Sequence, residues 1–398
     1  MRTTRGGLPV PVRIGVLANA TFSGLIMVAL PLLLNARGVG KAHIAAFFVL
    51  NALTAAVLNL TVGRRLRRMP SSRAISISAG TSAAGLVLLA VTPWPALVYP
   101  AGMAVMAMSL VYPRYVAMAD SYSARSAART ISGMRSLYVL GYVAGLGVFA
   151  AATELERLAG PAFRPVHVAV GLALLNVLVA WLPHRPPAVE EPGATTSDAA
   201  KPLPGRVVLL GAAAAVLLLR AADSLRAVYL PLYAVNSGVG ESAVSGLFAV
   251  TAIVEFAVLV PLSGLSDRFG SRRVLVAVCL TGALSFVAVV VASGYPVLIG
   301  SQVVYAVFAA GFQSIGMVVL GEALRSGMGG GAALFTALVQ VGSTVGVLAP
   351  LLVPGYSSSV FLIAVAFCVV AAGLLLVDRL RPTRRPTGVP VGAVGSTT

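Results

Sequence analysis

The stretch LPLLLNARGVG, residues 30–40, recurs as LPLYAVNSGVG at residues 230–240, a constant offset of 200 residues. The two copies share their first three residues and their closing Gly-Val-Gly. A weaker match continues through Phe48 and Phe248, and a basic stretch then follows in each copy, GRRLRRMPSSR from Gly63 and GLSDRFGSRR from Gly264. Proline and glycine interrupt helices in unrelated sequences too, but the shared order and spacing favour a duplicated unit.

The composition places the chain in a lipid bilayer. Hydrophobic residues make up 58% of the 398 residues and charged residues only 10%, which leaves too little polar surface to cover a soluble protein of this size. A hydrocarbon core of about 30 Å needs about 20 apolar residues per helical crossing. We therefore predict twelve spans, at residues 13–35, 42–62, 74–91, 97–119, 132–152, 165–183, 207–232, 242–263, 274–293, 297–321, 332–352 and 358–378.

The distribution of basic residues predicts the orientation of the chain. The net charge is +17, and if the N-terminus is cytoplasmic the predicted outer loops hold few of the basic residues, namely Arg37, Lys41, Arg157 and Arg164. This asymmetry follows the positive-inside rule, so we expect a plasma-membrane protein with both termini in the cytoplasm. The charge thus indicates a lipid bilayer as partner and not a nucleic acid.

The segment at residues 186–205 divides the chain. Prolines, acids and small polar residues replace the apolar pattern there, which predicts a cytoplasmic linker. We expect an N-terminal bundle at residues 1–185, a C-terminal bundle at 206–380 and a disordered cytoplasmic tail at 381–398. Because each bundle has six crossings, the two are parallel repeats about an axis along the membrane normal. The predicted fold is all-α, with twelve transmembrane helices in two pseudo-symmetric six-helix bundles.

The second basic stretch carries a family resemblance. GLSDRFGSRR, residues 264–273, resembles the loop motif G-x-x-x-D-R-x-G-R-R of the major facilitator superfamily, except that Ser263 stands where the first glycine belongs and Ser271 precedes the arginine pair. In the first half, Arg67 replaces the acid that the motif would have. The resemblance covers the whole chain and implies solute transport through alternating access. It also implies a cytoplasmic gate in predicted loop 8–9, formed by Gly264, Asp267, Arg268, Gly270, Arg272 and Arg273, although a basic loop that only sets orientation is the alternative.

Within that superfamily the chain is most similar to the sugar efflux transporters. The similarity rests on Glu255 followed by the basic stretch, on QVVYAVF at residues 302–308, on LFT at residues 334–336 and on Arg135 in GMRS. It implies export of a sugar-like solute. Predicted helix 5 lacks the Gly-Pro pair of many drug exporters, which leaves the direction of transport open.

Charged residues inside the predicted spans are candidates for proton coupling. Glu255 lies near the middle of span 8 with no basic residue within a turn of its own helix, and desolvation there favours the neutral acid. Glu255 is therefore the best candidate proton carrier, with a permanently protonated structural residue as the alternative. Asp223 has Arg220 and Arg226 three residues to either side, which predicts either a charge network that changes partners between states or a static cluster.

Further polar residues in the spans are candidates for solute binding. Guanidinium groups suit carboxylates and hydroxyls, and neutral amide or phenol groups suit polyhydroxylated ligands. Each such residue could instead bond two helices together. The candidate set is Arg114, Arg135, Arg220, Gln302, Tyr305, Gln313 and Gln340.

These observations predict a secondary active transporter that exports a small sugar-like or amphiphilic solute in exchange for protons, and that works as a monomer. Proton-coupled uptake, passive facilitation and a non-transporting membrane sensor on the same fold remain alternatives. An enzyme is not expected, because the histidines are scattered and no acidic pair lies in a span. The same reasoning predicts no metal site and no cofactor.

Overall fold

The computed structural model describes residues 9–62, 69–92, 95–121, 127–182, 206–291, 294–324 and 327–377. The predicted linker at 186–205, the tail at 381–398 and most of the first basic stretch lie outside these residues. The described part is helical and divides into twelve helices in chain order. Their bounds are α1 Val10–Ala36, α2 Lys41–Val57, α3 Ser71–Val91, α4 in two segments, Pro95–Val105 and Val111–Ser121, α5 Ala127–Ala159, α6 Pro165–Ala180, α7 Arg206–Asn236, α8 Glu241–Phe269, α9 Ser271–Val290, α10 Tyr295–Leu324, α11 Gly327–Leu348 and α12 Val360–Val377.

Short irregular turns interrupt or extend some of these helices. A π-helical turn, Leu58–Val62, continues α2, and a 3-10 turn, Met106–Leu110, joins the two segments of α4. Two further 3-10 turns, Pro161–Phe163 and Ala349–Leu352, follow α5 and α11. The extra residue of the π turn widens α2 at that point.

The helices are long and apolar enough to cross a membrane. Among the described residues nine qualify by length and hydropathy, and three shorter apolar helices, Lys41–Val57, Pro165–Ala180 and Val360–Leu376, complete the predicted set. The sequence-based spans agree with them to within a few residues at most ends. We call the side where α1 begins and α12 ends the termini face, and the opposite side the far face.

The main difference from the predicted spans concerns the gate motif. It was expected to lie in a loop between spans 8 and 9, but α8 runs on to Phe269 and α9 starts at Ser271. Gly264 is therefore helical and the prediction of a loop there is wrong. Gly270 alone separates the helices, with a φ of 88° that favours glycine. A polar sequence continued a helix here because nothing in it terminates one before Gly270.

The repeated stretch that opens the sequence forms the same turn twice. Gly38 and Gly238 have φ values of 70° and 85°, which is left-handed backbone at the end of α1 and of α7. The next amide in each copy donates back to the helix, Val39 N to Leu34 O at 3.1 Å and Val239 N to Ala234 O at 2.9 Å. The stretch therefore encodes a helix end that leads into α2 in one half and into α8 in the other.

Close helix crossings repeat in the same way. A Cβ added at Gly141 would lie 2.7 Å from Leu17 O, and one added at Gly342 would lie 2.6 Å from Leu217 O. One turn later, Gly145 approaches Thr21 O and Gly346 approaches Ala221 O in the same manner. Small residues allow backbones to approach closely in membrane bundles. α1 packs on α5 as α7 packs on α11, which is the pseudo-symmetry that the repeat predicted.

Substitution at one of these crossings is expected to destabilise the bundle. A Cβ at Gly346 would overlap the backbone oxygen of Ala221, so Gly346→Ala must force α7 and α11 apart at a cost of about 1–3 kcal/mol. The matched control is Gly373→Ala in α12, where an added Cβ meets nothing within 4 Å. Thermal unfolding in detergent should show a lower midpoint for the first variant only. Equal midpoints for both variants would contradict the close crossing.

Candidate functional site

A central cavity of about 540 Å³ lies between the two halves. Helices α1, α2, α4 and α5 form one wall, and α7 and α11 form the other. This volume is in the range of small-molecule sites. Apolar side chains make up much of the lining, and its polar members are Asn19, Ser23, Asn51, Ser109, Tyr112, Tyr138, Arg220, Ser224 and Ser343.

An ionic cluster stands at the wall formed by the second half. The Asp223 carboxylate on α7 accepts hydrogen bonds from Arg220 one turn earlier and from the Tyr305 hydroxyl on α10. Arg220 Nε also donates to Ser343 Oγ on α11 at 2.8 Å, and Ser224 Oγ donates to the same oxygen at 3.1 Å. The cluster therefore joins α7, α10 and α11.

Arg226 does not join this cluster as an ion pair, which corrects the expectation that two arginines flank Asp223. Its Nε donates to Gln302 Oε1 and its Nη2 to Thr251 Oγ1, both at 2.8 Å. The guanidinium lies between the rings of Phe248 and Tyr305, 4.3 and 4.1 Å from their centres. Only 4% of Arg226 is exposed, so ring faces and neutral dipoles hold this buried cation.

Glu255 is not as isolated as its own helix suggested. Arg135 on α5, in the other half, places Nη2 3.9 Å from Glu255 Oε1 on α8. The two side chains are 42% and 22% exposed, and α5 packs directly on α8. The sequence-based observation that no basic residue lies within a turn of Glu255 on its own helix holds. The counter-charge comes instead from another element.

The predicted solute-binding residues fall into different environments. Arg220 lines the central cavity, whereas the other six candidates are not among its lining residues. Gln302 and Tyr305 are buried and bonded to Arg226 and Asp223. Gln313 and Gln340 are half-buried, Arg114 is buried on α4 and Arg135 pairs with Glu255.

Sequence reasoning missed two asparagines of the cavity wall. Asn19 on α1 and Asn51 on α2 are 2% and 3% exposed, and both line the cavity. Each is a polar residue inside a predicted apolar span. That signal was present in the sequence, but the search for candidates weighed charges, glutamines and tyrosines.

The gate motif lies at the termini face. Arg272 Nε, in the first turn of α9, donates to Leu375 O near the end of α12 at 3.0 Å. Arg268 stands over the Phe269 ring, and Arg273 follows in α9. Asp267 is exposed and forms no hydrogen bond or ion pair with any described residue. The motif therefore contains an exposed carboxylate, Asp267, that is free to bind a partner.

Polar contacts join the two halves at the far face. Lys41 Nζ, at the start of α2, donates to Val353 O at 2.7 Å and to Gly355 O at 2.6 Å, both in the segment after α11. The same ammonium lies 5.4 Å from the ring centre of Tyr229. Ser242 Oγ, at the start of α8, donates to Glu154 Oε1 near the end of α5 at 3.0 Å.

Comparison with solved structures identifies several transporters of the same fold. A nucleoside transporter, NupG, has a TM-score of 0.76 at 15% identity, covering 94% of this chain and 99% of its own. A bacterial homologue of the iron transporter ferroportin, in an inward-facing state, has a TM-score of 0.71 at 13% identity, covering 93% and 98%. A peptide transporter, POT, in complex with sulfate has a TM-score of 0.71 at 11% identity, covering 93% of this chain and 94% of its own.

Sequence comparison gives the family. No curated protein matches the chain. The model of the Major Facilitator Superfamily matches residues 13–254 and again 212–396, so that each match begins near the start of one half. Twelve apolar helices, a duplicated turn and duplicated helix crossings agree with that match. The chain therefore belongs to the major facilitator superfamily and is a multi-pass membrane transporter, not an enzyme.

Proposed function

We propose that this protein is a secondary active transporter that exports a small sugar-like or amphiphilic solute in exchange for protons. The observation that supports this most directly is the pair formed by Glu255 and Arg135, 3.9 Å apart across the interface between the halves. An acid at an interface that must open and close can couple protonation to movement. Acids inside membrane spans mark substrate and ion pathways and proton relays.

Coupling follows from the charge of that pair. The ionised Glu255 attracts Arg135 and holds α8 against α5. A proton arriving on the carboxylate removes this attraction and frees the two helices to separate. Asp223 is the second candidate, because the bond from Tyr305 links α7 to α10 and its ion-pair partner Arg220 bonds Ser343 on α11. If Asp223 or Arg220 changed partner, the positions of α10 and α11 relative to α7 would change as well.

Alternating access would use the contacts at the two faces. Lys41 and Ser242 join the halves at the far face, whereas Asp267 at the termini face is exposed and without a described partner. This arrangement supports a state that is closed at the far face. In the opposite state Asp267 and the adjacent arginines would bond across the termini face. With the positive-inside orientation, that face is the cytoplasmic side of the plasma membrane. We further propose that the transporter acts as a monomer.

The cavity supports a small solute with both apolar and neutral polar surface. Its lining combines aliphatic and aromatic side chains with amides and hydroxyls, and its charged member, Arg220, is already paired with Asp223. Transporters of this fold include proteins for nucleosides, iron and peptides, so the fold alone does not select among solutes. The sequence similarity to sugar efflux transporters supports a sugar-like one.

The direct test is exchange in liposomes containing the purified protein. An imposed proton gradient should drive a labelled alkyl glucoside or labelled uridine to accumulate on the more acidic side, because exported solute and protons move in opposite directions. Accumulation on the alkaline side would instead establish uptake. Equilibration without accumulation would establish a passive facilitator, and no movement of any labelled solute would contradict transport.

A further inference from the structure

The amide of Asn51 is buried in the cavity wall without a protein partner. Its Nδ2 and Oδ1 atoms are both inaccessible, and neither forms a hydrogen bond within the described part of the chain. Asn19 lines the same cavity from α1 and is 2% exposed, and its side chain also forms no hydrogen bond to a described residue. Buried side-chain polar atoms nearly always have a partner. A solute in the cavity that both residues line can supply this partner when the Asn51 amide turns toward it.

The equivalent position in the other half shows that this lack is not imposed by the fold. Thr251 on α8 lies 200 residues after Asn51. Its hydroxyl accepts from Arg226 Nη2 at 2.8 Å and donates to Leu247 O at 3.0 Å. The second half thus satisfies this position within the protein, whereas the first half leaves the Asn51 amide without a partner among the described residues.

The opposite wall of the cavity has its polar groups already occupied. Ser343 Oγ accepts from Arg220 and Ser224 and donates to Val339 O at 2.7 Å. Arg220 is in turn paired with Asp223. A solute between the walls can therefore bond the Asn51 amide of α2 when that side chain turns toward the cavity, and meets a self-contained ionic cluster on α7 and α11.

Building on the proposed transport function, we propose that Asn51, with Asn19 beside it in the cavity, is a specificity-determining residue for a neutral solute group that carries a hydrogen-bond donor and an acceptor side by side. A carboxamide presents one oxygen acceptor and one nitrogen donor in a plane. Its complement is found in the vicinal hydroxyls of a sugar and in the imide edge of a pyrimidine ring. Either would satisfy both atoms of Asn51 at once.

Thermal unfolding of the purified full-length protein tests this assignment independently of transport. The probes are a methyl glucoside and 1-methyluracil, which presents the imide edge without a ribose, each at millimolar concentration. Their controls are the fully O-methylated glucoside and 1,3-dimethyluracil, which lack the adjacent donor and acceptor. We expect one parent probe to stabilise the wild type and its methylated control not to. Stabilisation by the glucoside would identify a sugar-like group, and stabilisation by 1-methyluracil an imide.

Variants then assign the effect to Asn51. Asn51→Leu keeps the side-chain size and should weaken binding of the stabilising probe by about tenfold. Asn51→Asp, which lacks the donor hydrogens, should weaken it as well. The control is Asn59→Leu in the π turn that continues α2, where the amide is exposed and already donates to Ala55 O and Ser109 Oγ. That variant should bind like the wild type.

The outcomes separate this inference from the transport function. If neither parent probe stabilises the wild type, or if Asn51→Leu binds as the wild type does, the assignment of Asn51 is overturned, and transport in liposomes can still stand. If binding depends on Asn51 but no labelled solute crosses a sealed bilayer, the transport function fails and the recognition site remains. A lower unfolding midpoint of Asn51→Leu without probe does not affect the comparison, because each variant is measured against itself with and without probe.

Discussion

Replacing Glu255 by Gln is expected to abolish uphill, pH-driven movement of solute while leaving solute-for-solute exchange intact. The amide keeps the size of the carboxyl but carries no charge and cannot release a proton, so the attraction to Arg135 at 3.9 Å is lost in every state. The accumulation ratio in liposomes should fall to equality, whereas counterflow of labelled solute should continue. Measuring both in the same preparation separates loss of coupling from loss of folding.

A second acid provides the control for this experiment. Glu322 near the end of α10 accepts a hydrogen bond from Ser271 at 2.9 Å and is exposed. Glu322→Gln should leave uphill transport close to the wild-type level. If Glu255→Gln retained full uphill transport, Glu255 would have no role in coupling, and Asp223 would become the candidate.

Replacing Lys41 by Met is expected to open the far face. The substitution keeps the aliphatic chain but removes the ammonium, and with it the bonds to Val353 O and Gly355 O and the contact with the Tyr229 ring. Hydrogen bonds from a charged donor at a partly exposed site stabilise by about 1–2 kcal/mol. The population closed at the far face should therefore decrease roughly 5- to 30-fold relative to the open one.

Cysteine accessibility measures this shift. Ser224 lines the central cavity and is 5% exposed, so a Ser224→Cys reporter should react faster with a reagent added at the far face when Lys41 is Met. Arg37→Met is the control, because Arg37 donates to Ala90 O within its own half at 3.2 Å. Asp267→Asn should act in the opposite direction and retain the far-face-closed state. If the labelling rate of the Ser224→Cys reporter were unchanged in Lys41→Met, the bonds from Lys41 to Val353 O and Gly355 O would not hold the far face closed.

The repeat predicted the architecture because the features that recur in it depend on the local conformation of the backbone. Gly38 and Gly238 end helices with left-handed backbone, and each apolar run is long enough to span. Those features depend on neighbours along the chain and can therefore be read from the sequence. The predicted loop at Gly264 was wrong because polar residues alone do not end a helix. α8 continues until Gly270, the first residue that stops it.

The partners of polar side chains depend on how helices are rotated and paired, which the sequence does not display. Asp223 has an arginine one turn to either side, yet Arg220 pairs with it and Arg226 turns to Gln302 and Thr251. Glu255 meets Arg135 only because α8 packs on α5. The choice of intramembrane charges as candidates was sound on energetic grounds, but their connections required the three-dimensional arrangement.

The π-helical turn Leu58–Val62 gives α2 a local geometry that its counterpart in the second half, α8, does not have. α2 ends in this widened turn, whereas its counterpart α8 stays α-helical from Glu241 to Phe269. Conversion of such a turn to regular α geometry rotates everything beyond it by about 100°. α2 can therefore take up rotation by rewinding this turn. α8 has no such turn and instead carries an interior proline, Pro261, as the place where it can bend.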